Sequence, residues 1–218
     1  MSTDDIQLFA TALGETGIMV GISGVLSLAL GLPLGLLLVI TDDAGVWRRP
    51  VLNRVLGTVI NAFRSTPFII LLIALIPFTR FIVGTTIGTT AAIVPLAIAA
   101  TPYYARVAEM SLREVDRGLI EALRAMGATR WQIVRELLVP EALPGLVSGF
   151  TVTLVTLIGA SAMAGAVGAG GLGDLAIRYG YQRFETGVMV GVIVLLIVMV
   201  SGVQIGGDLL ARRVNRRL

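Results

Sequence analysis

Three chemically versatile residue types are missing from this chain of 218 residues: it has no cysteine, no histidine and, among its 17 basic residues, no lysine. Without cysteine, neither disulfides nor thiolate metal sites can form. Without histidine and lysine, the commonest general base, the commonest metal ligand, Schiff bases and a phosphate-binding Walker lysine are all excluded. An active site would therefore have to use carboxylates, and almost all of these lie outside the long apolar segments of the chain.

Charge is also scarce, since only 14% of the residues are charged, whereas soluble domains average about 25%. The mean hydropathy is +0.89. Crossing a hydrocarbon core about 30 Å thick requires about 20 apolar helical residues, and five segments meet that length. The sequence therefore predicts one all-α integral membrane domain, residues 1–218, with five transmembrane helices at about 16–40, 55–79, 81–105, 142–165 and 186–207.

The arginines are distributed unevenly over these spans. Most of them follow the first, third or fifth span, and the last group comprises Arg212, Arg213, Arg216 and Arg217. Because cytoplasmic loops are enriched in basic residues, we expect the N-terminus outside and the C-terminus in the cytoplasm. The acidic N-terminus and the long first apolar segment favour a retained span over a signal peptide. Nucleic-acid binding is not expected, since no basic face on a soluble domain is visible.

A charged loop at about 113–140 separates the third and fourth spans. Asp116 is a suitable N-cap and Gly127 suits the turn after a helix, so the sequence predicts a helix over 117–126. At about 15 Å this helix is too short to cross a membrane. Its apolar side chains form one stripe, which consists of Leu119, Ile120, Leu123 and Met126. The stripe fits equally a helix lying on the membrane surface and one that docks into a groove of a cytosolic protein.

A second helix is predicted to follow, because Thr129 and Gln132 form a capping-box pattern, and Pro140 and Pro144 should interrupt or kink it. Within this loop, a spaced set of residues resembles the EAA loop of ABC importer permeases: Glu121, Ala122, Leu123, Gly127, Leu137, Val139 and Pro140. The family prefers alanine where this chain has Leu123, but the apolar character is kept.

The resemblance implies the type I ABC importer permease fold in a bacterial cytoplasmic membrane protein that is not itself an enzyme. The helix over 117–126 would be a coupling helix, seated in a cytosolic ABC ATPase present in two copies. That ATPase would bind ATP and magnesium, so no cofactor is expected in this chain. An extracytoplasmic substrate-binding protein would deliver the solute. The residues expected to couple the two proteins are Glu121, Ala122, Leu123, Met126, Gly127 and Pro140.

Three further segments are similar to methionine importer permeases: 63–72 (FRSTPFIILL), 76–80 (IPFTR) and 161–173 (SAMAGAVGAGGLG). That group uses five spans per subunit. The resemblance implies import of D- or L-methionine by alternating access in a homodimer, which is an economical way for one short chain to enclose a path. A permease for another small amino acid or related solute is the alternative.

Within the apolar segments, Arg64 stands out, because an arginine in the centre of a lipid-embedded helix costs about 2.5–3.5 kcal/mol. We expect it to have a structural role rather than to touch substrate, and we expect Pro67 to kink its helix. The resemblance places Ser161 and Met163 near the translocation path, with paired Met163 side chains closing an outer gate; ordinary packing between spans is the alternative. Residues 168–173 should form a flexible outer turn.

A secondary transporter is the weaker alternative for the whole protein. Such a protein would need carboxylates within the membrane for coupling. None of the five predicted spans contains an acidic residue, and Glu109, near the end of the third span, lies beside the charged loop.

Overall fold

The computed structural model describes residues 3–43 and 45–215, and this part of the chain is helical without any β-strand, which confirms the predicted all-α class. Two π-helical segments, Ile133–Leu138 and Ala176–Tyr181, continue directly into or out of α-helices. The helices are α1 Thr3–Ile40, α2 Pro50–Ser65, α3 Phe68–Ala74, α4 Ile76–Val83, α5 Thr89–Arg113, α6 Arg117–Ala125, α7 Arg130–Gln132, α8 Val139–Gly165, α9 Gly171–Leu175 and α10 Thr186–Val214.

Four helical stretches of the described residues are long and apolar enough to cross a membrane: Ile6–Ile40, Thr89–Arg113, Arg130–Gly165 and Thr186–Val214. A fifth crossing exists if α2 and α3, which are bent by 101° at a short break, form one broken span. The described residues thus contain four candidate spans, or five if α2 and α3 together form one, and the predicted number of five stays a prediction.

The second predicted span, at 55–79, is interrupted because α2 ends at Ser65 and Pro67 stands before α3. Proline lacks an N–H, and its ring clashes with the carbonyl of the preceding turn. Thr66 and Pro67 consequently adopt extended backbone, with ψ angles of 124° and 135°. The expected kink at Pro67 thus takes the form of a sharp change in chain direction.

The third predicted span, at 81–105, is displaced along the chain, because α5 runs from Thr89 to Arg113. Residues 81–83 instead end α4. Gly84 and Gly88 follow with φ angles of 82° and 95°, which favour glycine and turn the chain between α4 and α5. This turn is too weakly polar to be recognised by hydropathy alone.

The fourth predicted span, at 142–165, belongs to a longer helix that begins at Arg130 after the predicted capping box of Thr129 and Gln132. Before Pro140, the Val139 N–H bonds to the Val134 carbonyl five residues earlier. The wider π-helical turn leaves room for the proline ring, which would clash within a regular α-helical turn. Pro140 therefore bends the hydrogen-bond pattern without ending the helix.

Glycines allow α1 and α5 to pack closely. A Cβ atom on Gly31 would lie 2.8 Å from the carbonyl oxygen of Thr101, and one on Gly35 would lie 2.6 Å from that of Ala105. Small residues permit such close approach of helices in lipid. By contrast, a Cβ on Gly21 would meet no atom within 4 Å. The Gly31–Gly35 pair therefore serves packing within this chain.

At one end of the molecule, α1 holds the glycine-rich turn that precedes α9. The Glu15 carboxylate accepts the N–H of Gly171 at 2.6 Å, and the Thr16 hydroxyl accepts that of Leu172 at 2.9 Å. A Cβ on Gly173 would lie only 2.3 Å from a backbone oxygen of α8. The segment expected to be a flexible turn is therefore closely packed and hydrogen-bonded.

The connections with most of the arginines lie together at another end. Arg113, at the end of α5, bonds to Asp42 in the loop after α1, and Arg124 of α6 bonds to the Gly45 carbonyl in the same loop. This grouping is what the predicted alternation of loops requires. Arg216 and Arg217, which the charge argument also used, lie outside the described residues.

Candidate functional site

The short helix α6 is defined by its two ends, as the sequence predicted. The Asp116 carboxylate accepts the N–H of Gly118 at 2.8 Å, which satisfies a donor of the first turn. At the other end, Gly127 has a φ angle of 82°, and the Ala128 N–H bonds to the Leu123 carbonyl at 3.0 Å. These are the features of a Schellman cap. Both ends of the helix are therefore specified by local interactions.

The two sides of α6 have different surroundings. Ile120 and Leu123 are half-buried and pack on the apolar core formed mainly by the second half of α5, the π-helical segment Ile133–Leu138 and the start of α8. On another side, Leu119 is 44% exposed and Met126 is 82% exposed, with the exposed Ala122 between them. Residues at i, i+3 and i+7 share one helix face. The single stripe predicted from the sequence is therefore divided into an anchoring side and an exposed apolar side.

The residues of the EAA-like pattern are distributed over both sides. Glu121 and Ala122 are exposed, Leu123 faces the protein, and Gly127 forms the exit turn. Pro140 lies on the next long helix, at the beginning of α8. The structure thus brings Glu121, Ala122 and Met126 to the accessible surface of one short helix, and their role in coupling stays a prediction.

Trp131 is a surface residue that we did not select from the sequence. Its indole is 60% exposed at the start of α7, directly after the turn that ends α6. No local pattern in the sequence distinguishes it from a buried aromatic residue. Trp131 extends the exposed apolar surface near α6.

A chain of ionic contacts joins α5 to the loop after α1. The Glu109 carboxylate, in a residue only 6% exposed, accepts a hydrogen bond from Arg106 at 2.5 Å and two from Arg113 at 2.9 and 3.0 Å. Arg113 also donates to Asp42 at 2.6 Å. The sequence signal is the spacing of Arg106, Glu109 and Arg113, which share one face of a helix. The sequence singles out Glu109 but predicts no partner for it.

The same network reaches α2. Arg106 donates to the Gly57 carbonyl at 3.1 Å and to the Asn61 side-chain oxygen at 3.0 Å. Near the start of α2, the Asn53 amide donates to the Leu38 carbonyl of α1 at 2.5 Å. These contacts join α5 to α2. Since α5 leads through a short turn into α6, α6 is connected with α2 by way of α5.

Asp42 lies in the loop between α1 and α2, outside the spans. The hydrogen bond from Arg113 is the main cause that holds the pKa of the Asp42 carboxyl below its usual range, despite some desolvation. Asp42 is therefore ionised at neutral pH, and its ion pair with Arg113 persists there.

A cavity of about 270 Å³ opens where α2 breaks from α3. Arg64 and Thr66 line it from the break, and Tyr103 of α5 and Thr156 of α8 line it from other helices. Arg64 is exposed, and no hydrogen bond or ion pair to its side chain occurs within the described part of the chain. The structural role that we expected for Arg64 therefore has no contact to support it in this region.

Ser161 and Met163 lie on different sides of α8. Ser161 is buried, and its hydroxyl donates to the Ile158 carbonyl at 2.8 Å. Met163 is 53% exposed, on the same side of the helix as the exposed Thr156 and Gly159. In this conformation only Met163 can meet another molecule, and the roles of both residues in a path stay predictions.

Residues 31–218 match the family model described as the binding-protein-dependent transport system inner membrane component. The probable D-methionine transport system permease protein MetI of Vibrio cholerae is 53% identical over 211 residues, which are 97% of this chain and 94% of that protein. The methionine import system permease protein MetP of Bacillus subtilis is 45% identical over 181 residues, 83% of this chain and 82% of the relative.

Solved structures extend the similarity to the fold. A chain from the inward-facing MetNI methionine ABC transporter superposes with a TM-score of 0.97 at 50% identity, covering 99% of this chain and 100% of that one. A chain from an amino acid ABC transporter solved with histidines has a TM-score of 0.80 at 21% identity, covering 96% and 95% of the two chains. The second similarity concerns the fold alone.

Proposed function

Because the chain belongs to the family of binding-protein-dependent transport system inner membrane components, we propose that it is the permease subunit of an ATP-driven methionine importer. One observation carries this proposal: the capped helix α6 presents an exposed apolar face outside the spans, in a chain that matches methionine permeases over nearly its whole length. A solute channel or secondary transporter has no need for such a helix.

In this proposal α6 is the coupling helix, and its exposed side enters a groove of a cytosolic ABC ATPase. Leu119, Ala122 and Met126 provide the apolar contact, and the small Ala122 allows close approach. Glu121 pairs with a basic side chain or with backbone donors at the rim of the groove. ATP and magnesium are bound and hydrolysed in two copies of that ATPase, and this chain contributes no catalytic residue.

Movement of α6 is transmitted to the spans through α5. Half-buried Ile120 and Leu123 fix α6 to its own protein, and the contacts of Arg106, Glu109 and Arg113 extend from α5 to α2. A displacement of α6 by the ATPase therefore moves α2, whose C-terminal end lines the cavity at the break. This linkage supports alternating access, in which the path opens to one side of the membrane at a time.

The working unit is proposed to be a homodimer, in which the exposed side of α8 faces the second copy across the path. Met163 lies on that side, so paired Met163 side chains close an outer gate in a two-fold assembly. The buried Ser161 supports the helix from within. Since the matching methionine transporter structure is described as inward-facing, we infer that this chain is seen in the same state.

The orientation follows the arginine distribution, with the N-terminus outside and the C-terminus in the cytoplasm. An extracytoplasmic substrate-binding protein delivers the solute to the end where Glu15 and Thr16 hold the glycine-rich turn. The substrate assignment is supported by relatives in two organisms that are both described as methionine permeases.

The test is uptake of labelled methionine into proteoliposomes that contain this chain, its ATPase and its binding protein. Uptake that requires ATP hydrolysis would support the proposal. ATP-dependent uptake of a different amino acid would support the assignment as a permease and reject methionine as its substrate. Uptake that continues without the ATPase would reject the class and favour a secondary transporter.

A further inference from the structure

The cavity at the α2–α3 break has the size of a site for one small solute. Its volume is about 270 Å³, just below the roughly 300 Å³ at which pockets for drug-sized ligands begin. Apolar side chains form much of its wall, among them Phe63, Phe68, Leu71 and Leu157. A wall of this kind suits an apolar side chain of an amino acid better than a charged one.

The polar groups of the cavity include a donor, Arg64, acceptors on threonines, and the Tyr103 hydroxyl, which can act as either. Arg64 can only donate, and its guanidinium is without a partner in the described part of the chain. The hydroxyls of Thr66 and Thr156 already donate to their own helices, at 3.1 Å to the Ala62 carbonyl and 2.9 Å to the Val152 carbonyl. Their oxygens are therefore left to accept.

This pattern is complementary to a zwitterionic amino acid. Arg64 offers a cation to a carboxylate, and the guanidinium can bind both of its oxygens. The threonine oxygens can accept from an ammonium group, and no Asp or Glu is among the described residues that line the cavity, so none attracts a cationic side chain. An unpaired arginine within a span is costly unless something neutralises it, so the bound carboxylate also explains why a charge stands there.

We propose that this cavity is where the permease itself holds the transported amino acid, with Arg64 binding its α-carboxylate and Thr156 accepting from its ammonium group. The inference rests on the proposed function and names a substrate site within the path. It differs from the structural role expected for Arg64 from the sequence, for which the described residues show no contact.

The absence of native cysteine makes a direct test possible. Ala160 lines the cavity, so an Ala160→Cys substitution places one thiol in its wall. The nucleotide-free complex with the ATPase is treated with a maleimide, and modification of this chain is followed on a gel while methionine is titrated. Methionine amide, which lacks the anionic carboxylate, serves as the matched ligand.

We expect methionine to slow the modification, and methionine amide to require at least tenfold more ligand for the same protection. Arg64→Gln in the Ala160→Cys background should raise the half-protecting methionine concentration at least tenfold and should abolish the preference over the amide. Arg64→Lys should retain part of that preference, because it keeps the charge but loses the bidentate fork. Arg54→Gln is the control, since Arg54 is exposed on the same helix and does not line the cavity.

Equal protection by methionine with Arg64 and with Gln at that position would overturn the proposal. So would an Ala160→Cys complex that imports methionine with ATP but shows no protection, and the proposed function would then stand. A third outcome also rejects the proposal: Arg64→Gln no longer co-purifies with the ATPase, while Arg64→Lys binds methionine with unchanged affinity. Arg64 would then serve assembly of the complex. Protection without any ATP-driven uptake would reject the proposed function and keep the amino-acid site.

Discussion

Glu121 has no structural task within its own chain: its side chain is exposed and makes no hydrogen bond or ion pair in the described residues. The reason to expect a partner contact there is its place in the EAA-like pattern on the exposed side of α6. We predict that Glu121→Ala reduces ATP-driven methionine uptake at least tenfold while the helical content and thermal midpoint of the permease stay unchanged. Uptake in proteoliposomes and circular dichroism measure the two effects.

The matched control for this prediction is Glu136→Ala. Glu136 is also an exposed carboxylate, a short distance along the chain from α6, and it too has no ionic partner among the described residues. It lies in the π-helical segment rather than on α6, so its removal should leave uptake within twofold of the native protein. If both substitutions impair uptake equally, the effect comes from the general surface charge and Glu121 is no specific contact.

Single residues differ in how well the sequence predicts their roles. Asp116, Gly127 and Thr129 were identified correctly because helix caps depend on atoms only a few positions away. The surroundings of Arg64 depend on residues of α5 and α8 that are far away in sequence. No local pattern reports such distant neighbours, so the arginine's lack of a partner became visible only in the folded chain.

At the scale of helix pairs, the contact between α1 and α5 depends on the absence of side chains. A Cβ on Gly35 would lie 2.6 Å from a backbone oxygen of α5, which cannot move without shifting that helix. We predict that Gly35→Ala lowers the thermal midpoint of the purified permease, with a cost of about 1–3 kcal/mol, as for other overpacked interiors. Helix loss followed by circular dichroism in detergent measures the shift.

Gly21→Ala on the same helix is the internal comparison, because its Cβ would meet nothing within 4 Å. Replacing a helical glycine by alanine in open space should be neutral or should stabilise by about 0.5–1 kcal/mol. An equal loss of stability in both variants would mean that the Gly21 side of α1 packs against another chain, and that the α1–α5 contact is no special constraint.

The ionic network links three elements, α5, α2 and the loop after α1, and Glu109 is its centre. Removing one partner of a buried ion pair costs about 3–5 kcal/mol, but Arg113 is 41% exposed and water screens part of this loss. We therefore predict that Glu109→Gln destabilises the permease by about 1–3 kcal/mol. It should also lower methionine uptake more than ATP hydrolysis, because the linkage between α6 and α2 is weakened.

The control for Glu109→Gln is Asp43→Asn, which breaks the pair of Asp43 with Arg48 in the loop after α1. These side chains are 71% and 70% exposed, so the change in stability should stay below about 1 kcal/mol. A matching loss of uptake and hydrolysis in Glu109→Gln would show that the network stabilises the fold without transmitting movement.

Asp42 gives the same network a dependence on pH. Its carboxyl has a lowered pKa in the folded protein, chiefly because Arg113 bonds to it. A lowered pKa contributes stability above the unfolded value of about 4, and this contribution is lost as the pH falls through the folded value. We predict that the stability difference between the native protein and Asp42→Asn is constant from pH 6 to 8 and shrinks below about pH 4. A difference that disappears already near pH 6 would contradict this assignment.

Helices were predicted from the sequence where the length of the apolar segment is unambiguous. The helices α1, α8 and α10 contain the predicted apolar segments, although α1 begins at Thr3 and α10 continues to Val214. The turn between α4 and α5 was missed because Gly84, Gly88 and the residues between them are scarcely more polar than the spans they join. The break at Pro67 was expected only as a kink, since a proline within a helix permits either outcome and the packing of α3 decides between them.

At the scale of the whole molecule, the exposed side of α8 indicates how two copies could enclose a path. Thr156, Gly159 and Met163 recur at helical spacing on this side, and Met163 is 53% exposed in the single chain. Thr156 also lines the cavity at the α2–α3 break. If the path lies on the two-fold axis, Met163 of each copy stands one to two helix turns beyond the cavity and close to its counterpart.

Met163→Cys tests this arrangement in a chain that has no other cysteine. We predict that mild oxidation converts the variant in the assembled complex into a disulfide-linked dimer, because facing thiols across a two-fold axis can come within bonding distance. Met163→Ala, which leaves a gap in the proposed gate, should raise leakage of preloaded methionine from proteoliposomes in the absence of ATP. Ile193→Cys, a similarly exposed position on α10 at 48%, is the control and should form no disulfide-linked dimer. Crosslinking through Ile193 but not Met163 would place α10 on the axis, and the gate would then have to be sought on another helix.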